Sequence, residues 1–456
     1  MEDEVGVFQF YCSTELLMNR LFCSKALSKF KAAILLVLLG FFPFSIISAQ
    51  TVYTLDDCIR LALDNNPDVK VAGLMVMSAA TEKRGSLSAI LPTLSYSAGS
   101  FQQGSYFNPQ FGFPIPESEY HSAGLSLNQN IYDGGRWWNQ IAAGSNSYRF
   151  SVESELGTRV NTVWNVKQAF YQYLKDAQLL EVARQQVEVA EQQVERVQRQ
   201  YDVEQVAKSD LLKQKVFLGD MRVQYLNQQA AVKNSFNQLA TLMGMDIDTD
   251  FSVIDEPEEA TSIEDYSDFW EGVKANHPSL ITKRTQIAGA ILSLKISRAS
   301  YLPTLSASFG FDGSSDVFEE LYSDVDKNWR QQLRLTISYP LFTGLTRSSQ
   351  VEKAKVAHKI QQEEYDALLK NLRVQFDSVV EQLENVQETI PIYRESKVSA
   401  EEDLRLAQER YNLGAATILE VLDAQLSVAR ANGSLVRTTY DRRILRAQLD
   451  AMMSKM

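Results

Sequence analysis

The residues of this chain that could act on another molecule are few, and the most suggestive are acids. Glu420 and Asp423 lie three positions apart, directly after Thr417, so a helix starting there carries both carboxylates on one face. Thr417 with Glu420 has the Ser/Thr-x-x-Glu spacing of a capping box, which starts a helix at once. Gly414 just upstream can take the positive φ that ends the preceding helix. Several such faces converging on a symmetry axis would make a ring of carboxylates, whose chemistry is electrostatic rather than bond-making. The same two acids also suit the first turn of any helix, where the dipole favours them.

Bond-making chemistry finds no residue set. His121, His277 and His358 are far apart with no metal-ligand spacing. No Gly-rich phosphate loop or nucleophile elbow occurs. His121 adjoins Ser122, and neighbours on a strand point to opposite faces. An enzyme, a metal site and a cofactor are therefore not expected.

The acid pair sits in one half of a long internal repeat. Tyr201-Asp202-Val203-Glu204 aligns with Tyr411-Asn412-Leu413-Gly414 at a spacing of 210 residues. The heptad Leu180, Ala183, Val187, Ala190, Val194, Val197, Tyr201 returns at that spacing as Ile390, Tyr393, Lys397, Ala400, Leu404, Ala407, Tyr411. Upstream, Asn66-Pro67 and Leu91-Pro92-Thr93-Leu94-Ser95 return at 211 as His277-Pro278 and Leu302-Pro303-Thr304-Leu305-Ser306. A solenoid repeats every 20–50 residues or so, and this period is far longer. The reading is a duplicated half-domain: 50–245 and 265–456, joined by an acid-rich, irregular linker at 246–264. The duplication breaks in charge, because Asp210 and Lys213 stand where Glu420 and Asp423 do.

Each half must position its acids with the same elements. A helix capped by Thr54 (Asp265 in the second half) is interrupted at Pro67 (Pro278). Two strands follow. Ala123, Leu125, Leu127, Gln129 and Ile131 alternate with Gly124, Ser126, Asn128 and Asn130; Leu333, Leu335, Ile337, Tyr339 and Leu341 alternate with Arg334, Thr336 and Ser338. A loop at 106–117 separates the first pair. Such strands suit either a transmembrane hairpin or a half-buried hairpin of a soluble sheet. Asp133-Gly134-Gly135 and Thr343-Gly344 then mark a change to very long helices, 136–202 and about 346–413, the second expected to kink at Pro391. Val182 and Val189 add a second stripe beside the heptad, as a helix packed on two neighbours needs. Shorter return helices are expected at 209–243 and 417–453.

The start of the chain bounds where this happens. Arg20, Lys25, Lys29 and Lys31 precede the apolar run 32–42, and Ile47-Ser48-Ala49 follows it. This is the pattern of a secretory signal peptide over 1–49, with Met18 an alternative start; an uncleaved anchor has the same run. Four acids and four bases in that leader cancel, so the remainder keeps the net charge of −12, which argues against nucleic acid as a partner. Mean hydropathy is −0.21, and residues 50–456 hold no apolar run long enough for a membrane helix. Cys58 would be the sole cysteine left, excluding an internal disulfide. If the exported protein spans a membrane, strands must do it. Four strands cannot close a barrel, which takes about eight or more, so closure requires an oligomer.

Tyr411-Asn412-Leu413-Gly414-Ala415-Ala416-Thr417-Ile418-Leu419-Glu420-Val421-Leu422-Asp423-Ala424-Gln425, its counterpart Val206-Ala207-Lys208-Ser209-Asp210-Leu211-Leu212, and the junctions Leu91-Pro92 and Leu302-Pro303 resemble the TolC-like outer-membrane efflux family. The resemblance covers about residues 51–455. It implies a mixed α/β membrane protein: a trimeric 12-stranded transmembrane β-barrel, four strands per chain, continued by a long periplasmic α-helical barrel. It implies an exit duct in the outer membrane of a Gram-negative bacterium, serving a tripartite efflux pump or type I secretion. The partners are two further copies, a periplasmic adaptor, an RND, ABC or similar inner-membrane transporter, and outer-membrane lipid. The rival class is a coiled-coil structural or adhesin-like surface protein without a pore.

By the same resemblance Glu420 and Asp423 line the pore constriction, and Asp210 and Tyr411 are gate contacts. Tyr411 also ends the heptad stripe, where a core aromatic is expected anyway. Gly414, Thr417 and Ser209 form the tip turns. Tyr132, Trp137, Trp138, Tyr339 and Phe342 mark either an interfacial belt or packing where strands meet helices. Two departures stand out: Ala416 replaces a basic residue that some members carry in the tip loop, and Glu204 replaces the glycine expected in the first half.

Overall fold

The structure, a computed structural model, describes residues 51–110, 112–246, 251–255 and 269–455. The leader, the Asp265 cap and most of the linker lie outside the described residues.

Strand β1 (Thr51–Tyr53) leads into α1 (Leu55–Asn65), which Thr54 and Asp57 start with a capping box. Asn66 ends α1 and caps α2 (Pro67–Gly85), accepting the Asp68 N–H at 2.8 Å; Pro67 at the first position needs no such bond. A 3-10 turn (Ser86–Ile90) then delivers the chain to β2 (Thr93–Gln103). The stretch expected to be a loop contains a small hairpin, β3 (Tyr106–Asn108) with β4 (Phe113–Ile115), before β5 (Ser118–Tyr132). Gly134 and Gly135 take positive φ, +74° and +80°, and turn the chain into α3 (Arg136–Asp202); α4 (Lys208–Leu242) returns. Strand β6 (Phe251–Val253) follows.

The same order then recurs. Helix α5 (Phe269–Asn276) ends at His277, which caps α6 (Pro278–Ala299) by accepting the Ser279 N–H on Nδ1 at 3.3 Å. Strand β7 (Thr304–Ser315), the short helices α7 (Phe318–Ser323) and α8 (Val325–Asn328), and β8 (Trp329–Ser338) come next. Helix α9 (Thr346–Asn412) and α10 (Ile418–Met452) complete the chain. The long helices α3 and α9 have 67 residues each, about 100 Å of rod, and the return helices have 35 each. Pro391 does not break α9, which is continuous through it.

The four long strands form one antiparallel sheet in the order β2-β5-β7-β8. Its register sorts the side chains into two faces. Leu94, Leu127, Phe309 and Leu333 share one row, and Tyr96, Leu125, Phe311 and Gln331 the next. The alternate rows are Ser95, Ser126, Gly310, Gln332 and Ser97, Gly124, Asp312, Arg330. The apolar face is bare: Leu94 is 70% exposed, Leu333 72% and Ile337 76%. A bulge between Asn130 and Tyr132 corrects one expectation. It is Tyr132, not Ile131, that stands opposite Leu305, because the extra residue shifts the pleat. Tyr339 and Leu341, expected to continue β8, lie beyond its end.

The core sits where both helical hairpins meet the short helices. Val166, Ala169, Phe170 and Leu174 of α3 pack with Leu239, Ala240 and Met243 of α4, Cys58 and Ala62 of α1, Phe251 and Tyr440. Part of the supposedly irregular linker closes this core: β6 pairs with β1, and Phe251 stacks on Phe236 at 4.3 Å. Tyr440 donates its hydroxyl to Asp255 at 2.7 Å, which ties the linker to α10. Below this level α3 packs against α4 on one side and α10 on the other, and α10 packs against α9.

Candidate functional site at the hairpin tips

Both hairpins turn with one backbone device. In the first, the Glu204 N–H bonds to the Tyr201 carbonyl at 2.9 Å and the Gln205 N–H to that of Gln200 at 2.8 Å. In the second, the Gly414 N–H bonds to the Tyr411 carbonyl at 2.9 Å and the Ala415 N–H to that of Arg410 at 2.8 Å. Such bonds satisfy the last carbonyls of a helix and need one left-handed residue. Glu204 supplies it at φ +61° and Gly414 at +71°. The first tip therefore keeps the turn without its glycine.

The restarts differ. Thr417 caps α10: its Oγ1 accepts the Glu420 N–H at 3.4 Å, while Glu420 Oε1 accepts the Thr417 N–H at 3.0 Å and its hydroxyl at 3.2 Å. At the matching place before α4 stands Ala207, which offers no side-chain cap. Ser209 lies inside the first turn of α4 rather than in the connecting turn, with its hydroxyl 3.5 Å from Asp210 Oδ1.

The charges differ too. Arg410 reaches over the second turn, its Nη1 3.5 Å from Glu420 Oε2, and donates from Nη2 to the Ala415 carbonyl at 3.3 Å. The N–H of Thr417 above all, then its hydroxyl and the Arg410 charge, holds the Glu420 carboxyl below the ordinary glutamate range, against a smaller opposing effect of desolvation. Asp423 is exposed and has no ion pair among the described residues. In the first hairpin Lys213 Nζ stands 4.0 Å from Asp210 Oδ1 and offsets its charge.

Tyr411 joins the two hairpins. It packs on Ala407, Val421 and Ala424 on one side and on Val197, Leu211 and Ile418 on the other. Its hydroxyl is buried without a hydrogen-bond partner among the described residues, and burial, then the charge of Asp210, pushes its ionisation up. Asp210 and Tyr411 are thus within electrostatic reach but not bonded. Glu420 is engaged by its own cap and Arg410, and Asp423 stands apart from both.

Two features escaped the reading of the sequence. Arg410 was visible as another charge break in the repeat, since Gln200 occupies the matching position. Gln214 and Gln425 are almost fully buried one to two turns above the tips, and neither amide has a partner among the described residues. Gln214 had a signal: it falls between Leu211 and Phe217 on a buried stripe that is otherwise apolar. Among the described residues no group of three or more His, Cys, Asp or Glu is placed to hold a metal. No helix among them is long and apolar enough to cross a membrane.

Comparison with known proteins places this architecture. The family model described as outer membrane efflux protein matches residues 58–245 and 271–455. A relative from Pseudomonas putida, the probable efflux pump outer membrane protein TtgC, is 23% identical over 395 residues, spanning 84% of this chain and 79% of that protein. The outer membrane protein TolC of Vibrio cholerae is 22% identical over 410 residues, 86% of this chain and 89% of its own. Among solved structures, Vibrio cholerae VceC superposes with a TM-score of 0.76 at 19% identity, over 88% of this chain and 96% of that one. The Campylobacter jejuni CmeC channel does so with 0.79 at 17% identity, over 88% and 85%.

Proposed function

The chain belongs to the outer membrane efflux protein family, and from that premise we propose that three copies form an exit duct through the outer membrane. The carrying observation is the sheet. It has four strands, both edges open, an exposed apolar face and a polar face. Open edges are not tolerated in lipid, so β8 of one copy must pair with β2 of the next. The strand order makes that new pair antiparallel like the rest. Twelve strands then close, with lipid outside and the Ser, Asn and Gly rows inside. The recurrence of element order and length supports an internal duplication, with 50–245 and 265–456 as its halves. Tyr132, Trp137, Trp138, Tyr339 and Phe342 fit the rim of the membrane-facing band.

The helices continue the duct into the periplasm, where an adaptor and an inner-membrane transporter of the RND, ABC or a similar class complete the assembly. The duct performs no reaction. Glu420 and Asp423 from three copies face the axis at the tip and form its constriction, with Gly414 and Thr417 fixing the turn beneath them. Asp210 and Tyr411 hold the first hairpin against the second. The unpaired Tyr411 hydroxyl and the Gln214 and Gln425 amides support a second arrangement of the tip. A buried polar group without a partner costs about 1–3 kcal/mol, so a motion that satisfies these groups offsets part of the cost of opening.

The test is a planar-bilayer recording of the purified full-length protein. The expected result is a small, cation-preferring conductance whose preference is lost in Glu420→Ala with Asp423→Ala. Absence of any conductance, in the parent and in the variant, would return the chain to the class of non-channel surface proteins.

A further inference from the structure

The helical wall has two free edges near the tips, and they are complementary in charge. Helices α4, α3, α10 and α9 pack side by side in that order, so α4 and α9 are the outer members. On α4 the exposed residues Leu212, Val216, Gly219, Val223 and Leu226 alternate spacings of four and three, a heptad seam facing away from α3. Lys208, Lys215 and Arg222 flank this seam at a constant spacing of seven. On α9 Glu395, Glu402 and Glu409 run at the same spacing, on the side opposite Leu404, Ala407 and Tyr411, with exposed Ile392 and Leu406 beside them. Lys208, Lys215 and Glu395 have no ion pair among the described residues. Glu402 and Glu409 share Arg405, and Arg222 reaches Glu191 at 2.7 Å.

The wall inside the chain supplies the register for joining these edges. Val197 of α3 and Ile418 of α10 meet in one cluster. Moving each by the repeat spacing turns that pair into Ala407 of α9 and Lys208 of α4. Lys208 then stands within two residues of the level of Glu409, about 3 Å of helix rise. The two helices run in opposite directions, so Lys215 falls level with Glu402 and Arg222 with Glu395.

We infer that the α4 edge of one copy of this chain seats on the α9 edge of the next, the Lys208-Lys215-Arg222 line against the Glu409-Glu402-Glu395 line. The inference rests on the trimer proposed above and adds the surface and register by which its tips close. The equal pitch of the two charge lines, and their agreement with the register of the α3–α10 contact, favour a second copy over an adaptor as the occupant.

The test uses full-length protein in bilayers and in detergent. Lys208→Glu with Lys215→Glu is expected to loosen the tip and raise single-channel conductance several-fold. Glu402→Lys with Glu409→Lys should do the same, and all four changes together should bring conductance back towards the parent. In parallel, Lys215→Cys with Glu402→Cys and a short bismaleimide should link chains into covalent trimers, with neither single cysteine doing so. A trimeric native mass without crosslinking, and with a four-fold variant no nearer the parent than its halves, would overturn the seam and leave the trimer standing. A single-chain native mass would overturn both. Crosslinking of these cysteines only to added adaptor would assign the α9 edge to the adaptor and overturn the seam.

Discussion

The two hairpin tips share a backbone and almost nothing else. The first turns through a glutamate at φ +61°, restarts its helix from uncapped Ala207, and balances Asp210 with Lys213. The second turns through glycine, restarts from a full capping box, pins Glu420 with Arg410, and leaves Asp423 free. Identical hydrogen bonds at the turn show that its shape does not depend on these differences. The difference lies in stiffness and charge. The second tip is locally overdetermined and carries its two acids, Glu420 and Asp423, on one helix face, which is what the proposed constriction requires. The first turns through a left-handed glutamate and sets Lys213 where the second has Asp423, so an acid faces a base there.

The largest expected effect comes from exchanging charge between the tips. Asp423→Lys gives the second hairpin the pattern of the first, and should lower the cation preference of the channel by about tenfold if three such acids focus ions at the constriction. Lys213→Asp makes the reverse change and should leave the preference nearly as it was if, as proposed, Glu420 and Asp423 alone line the constriction. Reversal potentials under a salt gradient measure both. Equal effects of the two changes would dissolve the distinction between the tips.

How far these differences were legible depends on the range of the interaction that makes them. The long helices were readable to within a residue, because Gly134-Gly135 and Gly344 mark their starts, 136–202 lacks proline, and a heptad runs from Leu180 to Tyr201. The Thr417–Glu420 cap was readable for the same reason: its parts lie within one turn. Features that need a distant partner were not. The bulge at Ile131 exists only in the pairing of β5 with β7, and Phe251–Val253 is a strand only because β1 lies beside it. The left-handed Glu204 goes against its residue type, and the turn it makes is closed by hydrogen bonds from Glu204 and Gln205 back to Tyr201 and Gln200. Arg410 was visible as a charge, but its reach across the turn to Glu420 was not.

Capping and backbone strain test the difference in stiffness. Thr417→Ala should destabilise the second tip by about 1 kcal/mol, the usual cost of losing a cap. Ala207→Thr should stabilise the first by up to about the same amount. Amide hydrogen exchange at the start of α10 and of α4 reads the two effects separately. Glu204→Gly removes the left-handed strain and should stabilise the first turn by about 1 kcal/mol, visible as slower proteolytic nicking there. No slowing would mean that the positive φ at Glu204 carries no strain.

The smallest effect is that of acid, and it also separates the tips. The Glu420 carboxyl is held below its ordinary value of 4.5, mainly by the Thr417 N–H. A carboxyl depressed in the folded state contributes stability that is complete above its unfolded value and disappears as pH falls through the lower folded value. The cap on the second tip should therefore persist unchanged from neutral pH down to about 4.5 and loosen only below it. The first tip has no hydroxyl at Ala207 to form such a cap, so this particular loss is absent there. Channel conductance followed as pH is lowered, in the parent and in Glu420→Gln, isolates the effect: the closed level of the parent should loosen below about pH 4.5, and that of the variant, which has no carboxyl to protonate at this position, should not change there. Coincident curves would mean that the capping box, though formed, does not help to hold the tip shut.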